Sequence, residues 1–291
     1  LRRNPFIDGS NLTYYDPLPM ALCGREDQNM TRKTWWAAGL AVLALAATPV
    51  QAQTASASPA AQTASGQNLT VSYAIRVKGI NAGDFTFSMR QDAGQYDGRA
   101  ERRATGLVRS LVGKQQDFVY TASGRMTPAG PQPQRYQHSG GKNGRIVNVA
   151  FSADDAVTTA TPQMGMGNPP ATKAQRAGTM DQVSMFVALA TATGDPCTRT
   201  LPIFMDGRMR FDFAMRPAGM QKVHGGAWKG EAFRCAVRFT PIAGFGDPQE
   251  TAELTFLMAP LSNGLYAPVQ IEMPSDDAGV ITLEARSLKV G

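Results

Sequence analysis

The stretch LTVSYAIRVKGINAGDFTFSMRQ, Leu69 to Gln91, decides the fold. Val71, Tyr73, Ile75 and Val77 fall on one parity, and Phe85, Phe87 and Met89 repeat the pattern after a glycine-bounded break. Successive side chains of a strand point to opposite faces, so a period of two means a strand with one buried face. The intervening GINAG then reads as the turn of a hairpin.

The same texture continues downstream. GQYDGRAERRATG extends the meander with a poor apolar face, and KQQDFVYTASGRM and QRYQHSGGKNGRIVNVAFSADD supply further strands, the last pair joined around GGKNG. After residue 198 come RTLPIF, RMRFDF, EAFRCAVRFTPI, ETAELTFLMA, YAPVQIEMP and GVITLEARSLKV, with apolar residues at every second position, as in Phe233, Cys235, Val237 and Phe239. Short, evenly spaced strands broken by Gly, Asn, Asp and Pro indicate an all-β, mainly antiparallel fold: a strongly curved open barrel or wrapped sheet.

One segment departs from this rhythm. Val157 to Gly178, with Pro162, Pro169, Pro170 and the glycines of GMGN, reads as a long mobile connection. It leads into TMDQVSMFVALATATG, where Thr179 and Gln182 have capping-box spacing and Gly194 follows the end. Val183, Phe186, Val187 and Ala190 form a narrow apolar stripe, so this single internal α-helix is expected to plug the sheet or pack on it.

The N-terminal region reads as targeting sequence. From Met30, Arg32 and Lys33 precede an apolar run from Trp35 to Ala47, and Val50-Gln51-Ala52 offers small residues at the cleavage positions. A run this short fits a secretory signal over residues 30–52 better than a spanning helix, which needs about 20 apolar residues. Residues 1–29 are expected to be an over-extended gene start, residues 53–68 a disordered Ala/Ser/Thr/Gln linker, and residues 69–291 a single barrel-like domain without a transmembrane span. Export implies a periplasmic location. Cys23 falls in the leader, which leaves Cys197 and Cys235 as an even pair in an oxidising compartment, where a disulfide is the expected state.

The order of features resembles an exported, envelope-associated bacterial family catalogued as domain of unknown function 3108. The likeness rests on VKGINAGDFTF, RATGLVRSLVGKQQDFVYTASGRM, the TMDQVSMFVALA helix, LPIFMDGRMRFDF, the Cys235 strand and LMAPLSNGLYAPVQIEM, and spans Leu69 to Val290. It implies an antiparallel, strongly curved sheet around a helix, similar in shape to the open barrels of bacterial lipoprotein carriers. It implies no catalytic mechanism, and shape alone warrants little about function.

Catalytic patterns are weak. Cys197, Cys235, His138 and His224 lie far apart in sequence, unlike the close ligand pairs of structural zinc sites, so no metal or cofactor is expected. There is no G-x-S-x-G, and His138 and His224 sit in a strand and a turn. Asp154-Asp155 and Asp276-Asp277 are adjacent pairs at strand ends and read as turn formers. The formal net charge of +6 is scattered, and GRAERRATGLVRS, its one concentration, reads as a solvated strand face, so no nucleic-acid partner is expected.

A non-catalytic role is therefore expected, with a lipid or other hydrophobic small molecule as ligand or a part in supporting the cell envelope. Phe85, Phe87, Met89, Phe118, Phe211, Phe213, Phe256 and Met258 are the candidate cavity lining. The alternative is that they simply fill the core, as in most small barrels. Recruitment of an envelope protein partner through exposed edge strands is a second function class, and an envelope hydrolase a third. Within GDPCTRTLPIFMDGRMRFDF, Asp206-Gly207 reads as a two-residue hairpin turn. That register sets Phe204 opposite Met209 and places Arg208 and Arg210 on the face of Ile203 and Met205, where the arginines could meet an anionic headgroup.

Overall fold

The first hairpin forms, with a tighter turn than GINAG. In the computed structural model, β1 (Gln67–Val77) and β2 (Ile80–Asp92) are joined by Lys78 and Gly79 alone, at φ 49° and 79°. Two successive positive φ values give the turn whose twist matches flanking strands. A bulge between Ile75 and Arg76 then restores the parity that sets Val71 opposite Phe87 and Tyr73 opposite Phe85 in the core. The structure describes residues 66–106, 109–110, 117–141, 143–275 and 279–291. The leader, the signal-like segment, most of the expected linker and Asp276-Asp277 lie outside the described residues, whereas Gln67 and Asn68, assigned above to the linker, belong to β1.

The remaining elements are β3 (Gln95–Ala104), β4 (Phe118–Thr127), β5 (Gly130–Gly140), β6 (Arg145–Phe151), β7 (Ala156–Thr161), the short α1 (Lys173–Arg176) and α2 (Gln182–Ala190). They are followed by β8 (Arg199–Met205), β9 (Met209–Val223), β10 (Gly230–Ala243), β11 (Ala252–Pro260), β12 (Tyr266–Ser275) and β13 (Gly279–Val290). All thirteen strands form one antiparallel sheet in the order β7-β6-β5-β4-β3-β2-β1-β13-β12-β11-β10-β9-β8. The pairing of β1 with β13 joins two meanders, and the sheet curls until its edges meet at a seam. There the Thr158 hydroxyl of β7 donates to the Gly207 carbonyl beside β8, 2.7 Å away. The result is a nearly closed barrel.

The segment between β7 and β8 is anchored rather than free. All of β7 but Ala156 lies inside the stretch read as a connection, because AVTTAT offers one large apolar residue, Val157, and that one faces solvent. Further on, Asn168 N–H donates to Phe245 O at 2.9 Å, Gly244 N–H to Pro169 O at 2.8 Å, and Arg176 pairs with Asp155 at 2.8 Å.

Helix α2 enters the barrel. Asp181, not Thr179, is its N-cap, accepting from Val183 N–H and Ser184 N–H at 2.8 and 2.9 Å. Every residue from Val183 to Ala190 is buried, so the apolar surface is the whole circumference rather than a stripe. A helix apolar all round is one enclosed on all sides. This also explains the poor face of β3: its inward residues Gly98 and Ala100 are small because α2 passes there, and a Cβ on Gly98 would lie 2.6 Å from Val183 Cγ1.

Cys197 and Cys235 form a disulfide, Cα–Cα 5.1 Å, that ties the exit of α2 to β10. A bulge between Phe233 and Cys235 breaks the expected parity, so Phe233 leaves the core face and packs edge-on against Tyr266. At the β8–β9 hairpin, Asp206 and Gly207 adopt φ 53° and 66°, as the two-residue turn requires, and Arg208 N–H donates to Met205 O at 3.0 Å. Arg208 nevertheless stays outside the ladder. Met205 faces Met209, Phe204 faces Arg210 and Ile203 faces Phe211, one residue off the sequence-based register. The extra residue keeps Met209, Phe211 and Phe213 on the core side, and a one-step slip would have turned all three outward. Burial of the apolar pattern outweighs the shortest loop.

Candidate functional site

Four of the eight proposed lining residues do converge. Phe85 from β2, Phe211 and Phe213 from β9 and Phe256 from β11 surround a narrow crevice between α2 and the sheet, with Met185, Phe186, Ile203, Met205, Leu254, Ile271, Met273 and Leu283 completing its walls. Its free volume is about 80 Å³. Phe186 is the hinge of the aromatic packing, with ring centroids 5.4 Å from Phe85 and 5.1 Å from Phe87. Phe87, Met89 and Met258 are buried in the core outside the crevice lining. Phe118 is half-buried, its ring 4.8 Å below the Arg102 guanidinium carbon.

The crevice has one polar end, formed by Arg102 of β3, Tyr120 of β4, Gln182 of α2 and Asp206 of the β8–β9 turn. Asp206 Oδ1 accepts from the Tyr136 hydroxyl at 2.9 Å and from Gln182 Nε2. His138 Nδ1 stands 3.1 Å from the Tyr136 hydroxyl and 3.4 Å from Asp206 Oδ1. Burial holds the His138 pKa below the ordinary imidazole value despite the Asp206 carboxylate, so the ring is neutral at physiological pH. Burial also pushes the Tyr136 phenol well up, assisted by Asp206.

A second buried polar group lies at the helix start. The Ser184 hydroxyl donates to Asp181 Oδ2 at 2.6 Å and lies 2.7 Å from the Tyr96 hydroxyl. Burial raises the Asp181 pKa to about 6 even though the Ser184 hydroxyl and the backbone N–H groups of Ser184, Val183 and Asp181 itself pull it down. Ser184 and Asp181 are fully enclosed, so this hydroxyl is not a nucleophile presented to substrate. Among the described residues, no three His, Cys, Asp or Glu side chains come together as a metal-ligand set, and no helix is long and apolar enough to cross a membrane.

The remaining sequence candidates separate. His224 is exposed directly after β9 and is not among the crevice lining. Arg210 is buried, with Nε donating to Gln175 O at 2.7 Å and Nη1 to Phe211 O and Asp212 Oδ1, both at 2.6 Å. A guanidinium so engaged is a structural tie and does not reach a headgroup, which corrects that expectation for Arg210; Arg208 is half-buried at the turn.

The polar end was missed in the sequence. Its signal was Arg102, on the inward parity of Tyr96, Gly98 and Ala100, a charge where the strand pattern demands an apolar or small residue.

The chain belongs to the DUF3108 family. The model of that family, described as a protein of unknown function, matches residues 70–286. The DUF3108 match therefore takes in the sheet from β1 into β13, including every residue of the crevice. No curated protein matches the chain.

Proposed function

We propose that this DUF3108 protein is a non-catalytic protein of the bacterial periplasm that binds a single-chain hydrophobic ligand in the crevice beside α2. The observation that carries the reading is an enclosed, almost wholly apolar crevice that ends on the polar group of Arg102, Tyr120, Gln182 and Asp206. That is the arrangement by which a site holds an apolar tail and fixes its orientation through one polar end. The signal-like segment Met30 to Ala52 and the Cys197–Cys235 disulfide support export to an oxidising compartment.

At about 80 Å³ the crevice is smaller than the roughly 300 to 1,000 Å³ of typical ligand pockets. Binding therefore displaces side chains. Met185, Met205 and Met273 in the walls are unbranched and adaptable, and a shift of their side chains opens the space along α2. A fluorescent fatty-acid probe titrated into full-length protein tests this: saturable one-to-one uptake, lost in Ile271→Phe, is expected. No uptake by protein freed of lipid, or uptake indifferent to Ile271→Phe, would sink the carrier reading.

The filled interior favours a second reading, in which the protein recruits an envelope partner through its surface. The β9–β10 hairpin supports it, since Arg216 to Lys222 are exposed and Met220 is 51 % accessible. Cross-linking that recovers one partner through Met220, with no ligand inside, would decide for it.

A further inference from the structure

The solvent face of the N-terminal meander carries an ordered array that the interior reading does not use. Strand register places Ser88, Arg99, Thr121, Gln137, Asn148 and Thr159 directly opposite one another, in one row across β2 to β7. A second row, two residues along each strand, runs Arg90, Asp97, Ser123 and Arg135. Both rows line one open groove of about 1030 Å³. Its floor includes Gly98 and Ala122, where the small inward side chains let α2 approach the sheet from behind.

The chemistry of the groove is specific. Neighbouring strands lie about 4.8 Å apart, so the first row offers a hydroxyl, amide or guanidinium group at each such step. That spacing is close to the rise of one residue in an extended pyranose chain. Gln137 Nε2 already donates to Asn148 Oδ1 at 2.8 Å, showing the side chains of adjacent strands at hydrogen-bonding range. The groove lining contains three arginines and one carboxylate, Asp97, which stands opposite Arg90. Arg90 makes an exposed pair with Asp92, weak enough to exchange for a ligand, whereas Arg99 holds the half-buried Glu101 through Nε and Nη2 at 3.0 and 2.8 Å and exchanges less readily. Arg135 is exposed between Ser123 and Ala150, with Asp97 two strands away. Val157 is the one large apolar side chain exposed in the lining, too little for an acyl chain.

We propose that this groove binds one extended chain of an acidic polysaccharide, laid across the strands. Its hydroxyl groups meet the Thr121, Gln137 and Asn148 row, and its carboxylates meet Arg90, Arg99 and Arg135. The hydroxyl and amide row selects a sugar chain over a lipid, and the arginines select an acidic sugar over a neutral one. This site lies on the opposite face of the sheet from the crevice and stands or falls independently of it.

Isothermal titration of the full chain with oligogalacturonates, and with neutral dextran oligomers of matched length, tests the proposal. Saturable binding of the uronates, weakened by salt, is expected, with little binding of dextran. Arg135→Glu should weaken it about tenfold or more. Gln137→Leu should weaken it without changing the salt dependence, and Arg216→Glu, at another exposed arginine on β9, should leave it unchanged. Circular dichroism melting of each variant separates loss of binding from loss of fold. Absent uronate binding, dextran bound as tightly, or an Arg135→Glu variant that melts and binds like the parent would overturn the assignment. So would anionic phospholipid vesicles retained through Arg135 in place of the uronate.

Discussion

Asp181→Asn should stabilise the protein at neutral pH and remove a pH dependence. The Asp181 carboxyl is completely buried, and its pKa rises from the ordinary 3.8 to about 6. A folded-state pKa above the unfolded value means that the folded protein holds the proton more tightly. The protonated form then stabilises the fold fully below about pH 4, and that contribution is lost as pH rises through about 6. Two pH decades at about 1.4 kcal/mol each give roughly 3 kcal/mol between the two limits. Asparagine caps a helix as well as aspartate and carries no charge to bury, so it keeps the bonds from Val183 and Ser184 N–H. Urea unfolding of both proteins at pH 4 and pH 8, disulfide intact, gives the test. The stability of Asp181→Asn relative to the parent should rise by about 2 to 3 kcal/mol between those pH values. Glu101 and Asp155, whose pKa values are lowered by arginine, change stability in the opposite sense, but equally in both proteins. A difference that does not change with pH, or that falls, would mean that the buried Asp181 carboxyl carries no charge penalty.

Gly98→Ala should destabilise by about 1 to 3 kcal/mol, read from urea midpoints, because the added Cβ meets Val183 Cγ1 at 2.6 Å in a filled interior. Replacing Cys197 and Cys235 together by serine should cost about 3 to 4 kcal/mol from the 38-residue loop, with the crosslink itself checked by non-reducing peptide mapping. Arg210→Met should cost about 1 to 3 kcal/mol in thermal unfolding, since it strands the carbonyls of Gln175 and Phe211 and the Asp212 carboxylate. Gly207→Ala should loosen the seam: its φ of 66° disfavours a side chain, and the Cβ would lie 2.7 Å from Thr158, so amide exchange along β7 should quicken.

The sheet was legible because alternation survives in any strand with one buried face, as the Tyr73 and Phe85 parities show. Elements defined by small residues were not. The one large apolar residue of β7, Val157, faces solvent, and β3 looks weak because α2, rather than its own side chains, fills the space behind Gly98. Turn chemistry located Asp206 and Gly207 but not the register, since the decision belonged to the burial of Met209 and Phe211. Of the site, the aromatic wall could be read from parity. Its convergence on Phe186 depends on which strands the closed sheet brings around α2, and the polar end joins β3, β4, α2 and a turn, residues up to 104 positions apart.

The crevice beside α2 is proposed as a ligand site and not a packing remnant. Native mass spectrometry of the full chain, stripped of lipid and then offered a single-chain fatty acid, measures this directly. A one-to-one complex is expected, abolished by Ile271→Phe in a variant whose unfolding temperature stays at or above that of the parent. An unliganded spectrum at saturating fatty acid, or a complex that survives Ile271→Phe, would contradict it.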